Sequence, residues 1–208
     1  MTILITIGPT QEPLDSMRLI SNRSTGKLGT LLATSLADQG HTIIALRGTG
    51  ATASPASLER ENIRVISFTT TEDLRSCLER LSNEERIDAI FHAAAVSDFT
   101  LPAAGNGKIP TSDGSVTLTL EPTPKLLPRM RDWFPSAMIA GWKFEAGGDH
   151  DEALAAGHAQ IATCHTDACV VNGPSYGEGF GVLSRAGELT HLPDKPTLCT
   201  YLAGQLGN

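Results

Sequence analysis

Short apolar runs alternate along this chain with longer segments whose apolar residues recur at helical spacing. ILITI, at residues 3–7, is rich in β-branched residues and stops at Gly8-Pro9, which predicts a buried strand emptying into a loop. In GKLGTLLATSLADQG the residues Leu28, Leu31, Leu32, Leu36 and Ala37 share one helical face, and Gly40 closes the segment. HTIIALRG predicts the next strand. Strand, long loop, helix and strand make a βαβ unit, whose crossover implies a parallel pair. The pattern repeats in the strand IRVISF, in the helix TTEDLRSCLERL with Thr70 or Thr71 as its cap, and in the buried run DAIFHAAAV.

Beyond residue 96 the character changes. SDFTLPAAGNGKIPTSDG is rich in Gly, Pro and Ser and predicts a mobile loop. SVTLTLEP alternates strictly between polar and apolar, the pattern of a half-exposed antiparallel strand. PKLLPRMRDWF predicts a short helix, SAMIAGWKFE a strand, DEALAAGHAQIATCH a helix and DACVVNG a strand. GFGVLSRAGELTHL reads as a hairpin turning near Arg185-Ala186-Gly187, and KPTLCTYLAGQL as a closing helix. The expected class is α/β: a Rossmann-like, open, mostly parallel sheet with helices on both faces and a late antiparallel segment. One domain over residues 1–208 is expected. Such sheets bind ligands at the carboxyl ends of their strands. That brings forward GPTQEPLDSMRLISNRSTG, SDFTLPAAGNGKIPTSDG and WKFEAGGD.

Composition narrows the class. With 208 residues, 40% hydrophobic and 19% charged, the chain can bury a core of ordinary size. A net charge of −7 argues against a general nucleic-acid surface, which needs clustered Lys and Arg. Cys77, Cys164, Cys169 and Cys199 form no CxxC pair and no zinc pattern, so reduced, mostly buried thiols in a cytoplasmic protein are expected. MTILITIGPT has no basic segment before its apolar run, and no stretch of 18 apolar residues occurs. Neither a secretory leader nor a membrane span is expected.

Chemistry concentrates in a few stretches. SNRSTGKLG fails the Walker pattern, because Leu28 follows Lys27 and Ser21 stands where the first glycine belongs. The GxGxxG fingerprint also fails. Ser24, Thr25 and Gly26 nonetheless stand at a helix start, where backbone N–H groups favour an anion. Ser24 or Thr25 as a plain helix cap accounts for the same residues equally well. The loop before them far exceeds the about two to six residues usual between strand and helix. It carries Thr10, Glu12, Asp15, Arg18, Asn22 and Arg23, the mark of a functional loop. In HAAAVSDF, Ala93 and Ala94 would let a planar or sugar ring approach the backbone, and Asp98 would accept from ribose hydroxyls or else cap the next turn. Lys108, in a Gly/Asn loop, suits a transferring phosphoryl group. Lys143 sits between Trp142 and Phe144, and Glu145 on the same side of a strand is its expected partner. No residue set reads as a metal site.

Together these stretches resemble the phosphopantothenoylcysteine synthetase (phosphopantothenate–cysteine ligase) family of coenzyme A biosynthesis. GPTQEPLDSMRLISNRSTGKLG is similar to the bacterial family's first loop almost throughout. AAAVSDF, GKI, TPKLL, WKFE and DACVVN follow in the family's order and spacing, so the likeness covers nearly the whole chain. The resemblance implies that the carboxylate of 4'-phosphopantothenate attacks the α-phosphate of CTP or ATP, carried with Mg²⁺, and releases pyrophosphate. Cysteine's amine then displaces the nucleoside monophosphate to form the amide. By position, Asn22 matches the asparagine that handles the acyl intermediate, and Lys108 the flap lysine over the triphosphate. Ala93, Ala94 and Asp98 match the nucleotide-binding strand end, and Trp142 an aromatic residue near the base. Ser24, Thr25 and Gly26 fall, with Asn22, on the substrate side.

The chain also departs from the bacterial pattern. Pro110 and Thr111 stand where further flap lysines are usual, and Gln160 and Cys164 where helix lysines hold the nucleotide. AAAVSDF, KIPTSDG and WKFE lean to the eukaryotic branch, where a lysine matches Lys143. The bacterial branch uses CTP and the eukaryotic branch ATP, so both stay open. The resemblance further implies a cytoplasmic homodimer without the flavin-dependent decarboxylase domain, paired through SVTLTLEP or the late hairpin, with neither nucleic acid nor membrane as a partner. Two rivals stand beside it. One is a non-catalytic nucleotide-binding module. The other is a short-chain dehydrogenase-like oxidoreductase, for which no YxxxK pair exists, since Phe180 and Gln205 follow Tyr176 and Tyr201 at that spacing.

Overall fold

Eight strands form the central sheet of the computed structural model, which describes residues 1–102, 107–109 and 114–206. In chain order the first half comprises β1 (Thr2–Ile7), β2 (Gln11–Pro13), β3 (Leu19–Ser21), α1 (Lys27–Asp38), β4 (Thr42–Gly48), β5 (Ile63–Phe68), α2 (Thr71–Glu84) and β6 (Ala89–His92). The second half comprises β7 (Phe99–Thr100), β8 (Glu121–Pro122), α3 (Met130–Trp133), β9 (Met138–Phe144), α4 (His150–Cys164), β10 (Ala168–Gly173), β11 (Gly177–Ser184), β12 (Leu189–Leu192) and α5 (Lys195–Gly204). Across the sheet the order is β5-β4-β1-β6-β9-β10-β11-β12. The first six of these strands run parallel, and β11 and β12 add antiparallel. This is the expected doubly wound sheet with a late antiparallel segment.

Strand periodicity divides the core. Ile3, Ile5 and Ile7 of β1 join a cluster with Leu32 and Leu36 of α1 and Leu198 and Leu202 of α5. Leu4 points the other way, into a cluster with Leu74 and Leu78 of α2 and Met130 of α3. A smaller cluster under α4 holds Ile161, Cys169, Val171 and Leu183. Each fully buried Leu or Ile contributes about 1.5–3 kcal/mol, so the parallel strands anchor whatever their loops carry. Cys164, Cys169 and Cys199 are buried, Cys77 is half-buried, and all four are free thiols, as expected. Among the described residues no helix is long and apolar enough to cross a membrane.

Caps follow the sequence in three helices. Thr70 and Asp73 close a capping box on α2, Asp149 and Glu152 do so on α4, and Asp194 caps α5. α1 differs from the expectation of a Ser24 or Thr25 cap. Its N-cap is Gly26, left-handed at φ 75°, with no side-chain cap bond. A Cβ at Gly26 would lie 3.0 Å from both Ala51 and Ile7, so close packing against β1 excludes a capping side chain there. Thr25 Oγ1 only accepts from the Lys27 N–H at 3.3 Å.

Two further expectations are corrected. SVTLTLEP is not a continuous strand. Only Glu121–Pro122 pairs, with Phe99–Thr100, and residues 115–120 are exposed without a ladder. DAIFHAAAV is regular strand only over Ala89–His92, and beyond it Ala95 makes an isolated parallel bridge to Pro9. The long first loop contains its own antiparallel ribbon, β2 with β3. The segment expected to be a mobile loop, 97–114, includes Pro110, Thr111 and other residues outside those described.

Candidate active site at the carboxyl ends of β1 and β6

Strand order reverses at β1, with β4 on one side and β6 on the other. A crevice opens beyond the carboxyl ends of strands at such a switch point. Here the two chains stay bonded past their strand ends. Ala95 N–H donates to Gly8 O at 3.0 Å, and Thr10 N–H donates to Ala95 O at 3.2 Å. Gly8 permits this at φ 82°, since a Cβ there would come within 2.6 Å of the Ala51 Cβ. Ala93 and Ala94 are half-buried on this rim. Their N–H groups are already committed, Ala93 to Phe91 O at 3.2 Å and Ala94 to Thr6 Oγ1 at 3.0 Å.

Thr6 also meets His92 Nδ1 at 2.8 Å. The hydroxyl oxygen accepts from the Ala94 N–H and also bonds Nδ1, so Thr6 links the rim to the buried ring. Burial pushes the His92 imidazolium down to about 4. Between pH 6.5 and about 4 the unfolded chain binds a proton at this site and the native chain does not. Stability is therefore expected to fall on acidification through that window, by on the order of 3 kcal/mol from this group. Urea unfolding at several pH values checks it, and His92→Gln should flatten the slope in that window.

The first loop gathers the rest. Thr10 Oγ1 accepts from Ser97 N–H at 2.9 Å. The Glu12 carboxylate is buried and accepts from the Thr71 N–H and hydroxyl at 2.8 and 2.7 Å and from Thr100 Oγ1 at 3.3 Å. Those bonds tie the loop to the start of α2 and to β7. Asp15 Oδ2 accepts from the Ile109 N–H at 3.0 Å, and Arg18 Nη2 donates to Ile109 O at 2.8 Å. Donors to Asp15, the Ile109 N–H foremost, hold its carboxyl well below the usual carboxylate range. Asn22 is exposed, and its Nδ2 donates to Ala95 O and Val96 O at 3.3 and 3.0 Å. Asn22, the Ala93–Val96 rim, Ser97–Asp98 and the exposed Lys108 beside Ile109 are thus held along one edge by a single loop. The amide nitrogen of Asn22 faces the rim, which leaves Oδ1 as its unspent group.

Other expected residues are placed differently. Ser24, Thr25 and Gly26 lead into α1, and a Cβ at Gly26 would meet the Gly8 Cα at 3.5 Å. Asp98 is exposed and forms an ion pair with Lys125, a partner that no sequence signal announced. Trp142 and Lys143 are neighbours on β9 and so project to opposite faces. Trp142 packs toward the α1 and α5 side, with a buried indole N–H that has no partner among the described residues. Lys143 pairs with Glu145 at 3.1 Å, as expected. Gln160 and Cys164, set by the resemblance where helix lysines are usual, both lie on α4. α4 runs back from the carboxyl edge, and Gln160 turns inward to Cys169 Sγ at 3.1 Å while Cys164 is buried.

Two cavities lie elsewhere. One of about 560 Å³ opens at the amino ends of β9 and β10, between Arg131, His158, His165 and Arg185. Its arginines are engaged with backbone carbonyls of residues 135, 137, 165 and 166 and with Asp167, which closes the end of α4. The other, about 480 Å³, lies between α1 and α5 and is lined by Lys27, Leu31, Phe180 and Lys195. Neither is lined by Asn22, the alanine rim or Lys108.

The family model described as DNA/pantothenate metabolism flavoprotein C-terminal domain matches residues 1–195. The coenzyme A biosynthesis bifunctional protein CoaBC of Thermococcus kodakarensis is 31% identical over 170 residues, which cover 82% of this chain and 40% of that protein. CoaBC of Bacillus subtilis is 29% identical over 182 residues, covering 86% and 42%. The chain thus spans less than half the length of these curated relatives. Among solved structures, a DNA/pantothenate metabolism flavoprotein from Streptococcus pneumoniae has a TM-score of 0.85 at 22% identity, covering 99% of this chain and 98% of that one. A Cab2 mutant in complex with phosphopantothenate-cysteine has a TM-score of 0.79 at 21% identity, covering 99% and 84%. At such identities these two likenesses speak for the fold.

Proposed function

Because the chain belongs to the DNA/pantothenate metabolism flavoprotein C-terminal domain family, we propose that it joins 4'-phosphopantothenate to cysteine in coenzyme A biosynthesis. The observation that carries this reading is the single loop that ties Asn22, the alanine rim and the Lys108 segment together. The carboxylate of phosphopantothenate attacks the α-phosphorus of CTP or ATP, and pyrophosphate departs. The acyl carbon is then attacked by cysteine's amine, and the nucleoside monophosphate leaves as the amide forms. A carboxylate is a poor acyl donor, so the first step supplies the leaving group.

Each residue receives a role its chemistry supports. Lys108 neutralises charge on the triphosphate as a flexible point charge. Ala93 and Ala94 keep the rim low enough for a ribose or base, and Asp98, tempered by Lys125, accepts from a sugar hydroxyl. Trp142 borders the base, and Lys143, on the other face of β9, offers a partly neutralised charge to the phosphates. The start of α1 at Ser24, Thr25 and Gly26 faces an anionic group of the substrate. Asn22 holds the acyl intermediate, with Oδ1 placed to accept from the incoming amine. Mg²⁺ arrives with the nucleotide as part of the substrate complex.

The test is mass spectrometry of a mixture holding the protein, phosphopantothenate, cysteine, Mg²⁺ and either nucleotide. Phosphopantothenoylcysteine with one of them supports the reading. Nucleotide binding without any product with either would instead leave a binding module.

A cytoplasmic homodimer belongs to the same proposal. Val116, Leu118 and Leu120 are 50%, 39% and 39% exposed on alternate positions, and Phe99 beside them is 49% exposed. An unpaired extended segment of this kind invites a second copy. Light scattering is expected to give twice the 22.0 kDa of the chain, and Leu118→Lys is expected to shift the protein toward monomer. A strict monomer for the wild type would contradict it.

A further inference from the structure

We propose that Asp15 is a positioning residue that sets the place of Lys108, by gripping the backbone one residue away from it. The two oxygens of Asp15 have separate duties. Oδ1 accepts from the N–H groups of Met17 and Arg18, both at 2.8 Å, and closes a local turn. Oδ2 accepts from Arg18 Nε at 2.9 Å and Nη2 at 2.6 Å, and from the Ile109 N–H at 3.0 Å. Arg18 Nη2 completes the grip on Ile109 O at 2.8 Å. The N–H and the C=O of one residue are therefore held by an ion pair some 90 residues earlier in the chain. The Asp15 side chain is fully covered while that of Arg18 is 41% exposed, so water competes little at the carboxylate.

Lys108 is next to this anchor, with its Cα about 3.8 Å from that of Ile109. Its ammonium sweeps from a fixed root, although the surrounding sequence is rich in Gly, Pro and Asn. Positioning of this kind matters because a displacement of about 1 Å can cost on the order of a hundredfold in rate. The inference rests on the ligase reading for its kinetic consequence and on geometry alone for the anchoring.

Asp15→Asn separates the two duties. The amide oxygen keeps the local turn, whereas the amide nitrogen faces the Ile109 N–H and the Arg18 guanidinium, where only an acceptor fits. Two measurements are expected to change. Tryptic cleavage after Lys108, followed by mass spectrometry without substrate, should accelerate roughly tenfold or more at a temperature well below the thermal midpoints of both proteins. Single-turnover pyrophosphate release should slow roughly 10- to 100-fold, and the double variant with Lys108→Ala should be no slower than Lys108→Ala alone. If Asp15→Asn does not fold, Ile109→Pro removes the same N–H from the other side and should give the same kinetic result. Unchanged cleavage after Lys108 overturns the anchoring. Multiplicative losses in the double variant overturn the link to Lys108. A wild type that releases no pyrophosphate overturns the ligase reading, while the cleavage comparison still decides the anchoring.

Discussion

Asn22→Asp is expected to keep pyrophosphate release within about threefold of wild type and to cut amide formation roughly 100-fold or more. The substitution preserves shape and changes only what the side chain offers. In the native chain Nδ2 donates to the carbonyls of Ala95 and Val96, which points Oδ1 away from the rim. A carboxylate cannot donate, and it would set a negative oxygen against two carbonyl oxygens. The side chain is expected to swing out and lose its hold on the acyl intermediate. Rapid-quench measurement of pyrophosphate, with amide followed in parallel, separates the two halves. Equal losses in both would give Asn22 a role in binding or folding instead.

Lys108→Ala is expected to act on the other half, slowing pyrophosphate release roughly 100-fold in single turnover. Lys108 is exposed, so the thermal midpoint should hardly move. Lys108→Arg should recover part of the rate, because the charge returns with a different shape. Unchanged single-turnover release in Lys108→Ala would remove the residue's assigned role.

The two residues differ in how far the sequence alone could take them. The strands and helices were legible because burial imposes a period: ILITI and HTIIALRG pair in register as β1 and β4, and Leu74 and Leu78 line one face of α2. Lys143 with Glu145 was legible for the same reason, since strand residues two apart share a side. What escaped were contacts between distant segments. Nothing near Asp15 announces Ile109, and nothing near Asp98 announces Lys125. Gly26 was eclipsed by Ser24 and Thr25, because cap preference is local while the pressure on Gly26 comes from Ile7 and Ala51. SVTLTLEP misled for a related reason. Alternation marks a segment suited to pairing, yet within one chain only its end finds a partner. Thr6 carried an overlooked signal, a hydroxyl inside an otherwise apolar run, and it proves to support both His92 and the alanine rim.

The central claim is that this loop-built edge activates a carboxylate on a nucleotide. The most direct measurement is pyrophosphate release by the wild-type protein with phosphopantothenate, Mg²⁺ and either CTP or ATP, before any cysteine is added. Release is expected to require phosphopantothenate and to proceed with one or both nucleotides, followed by amide formation when cysteine is supplied. No release with either nucleotide would contradict it.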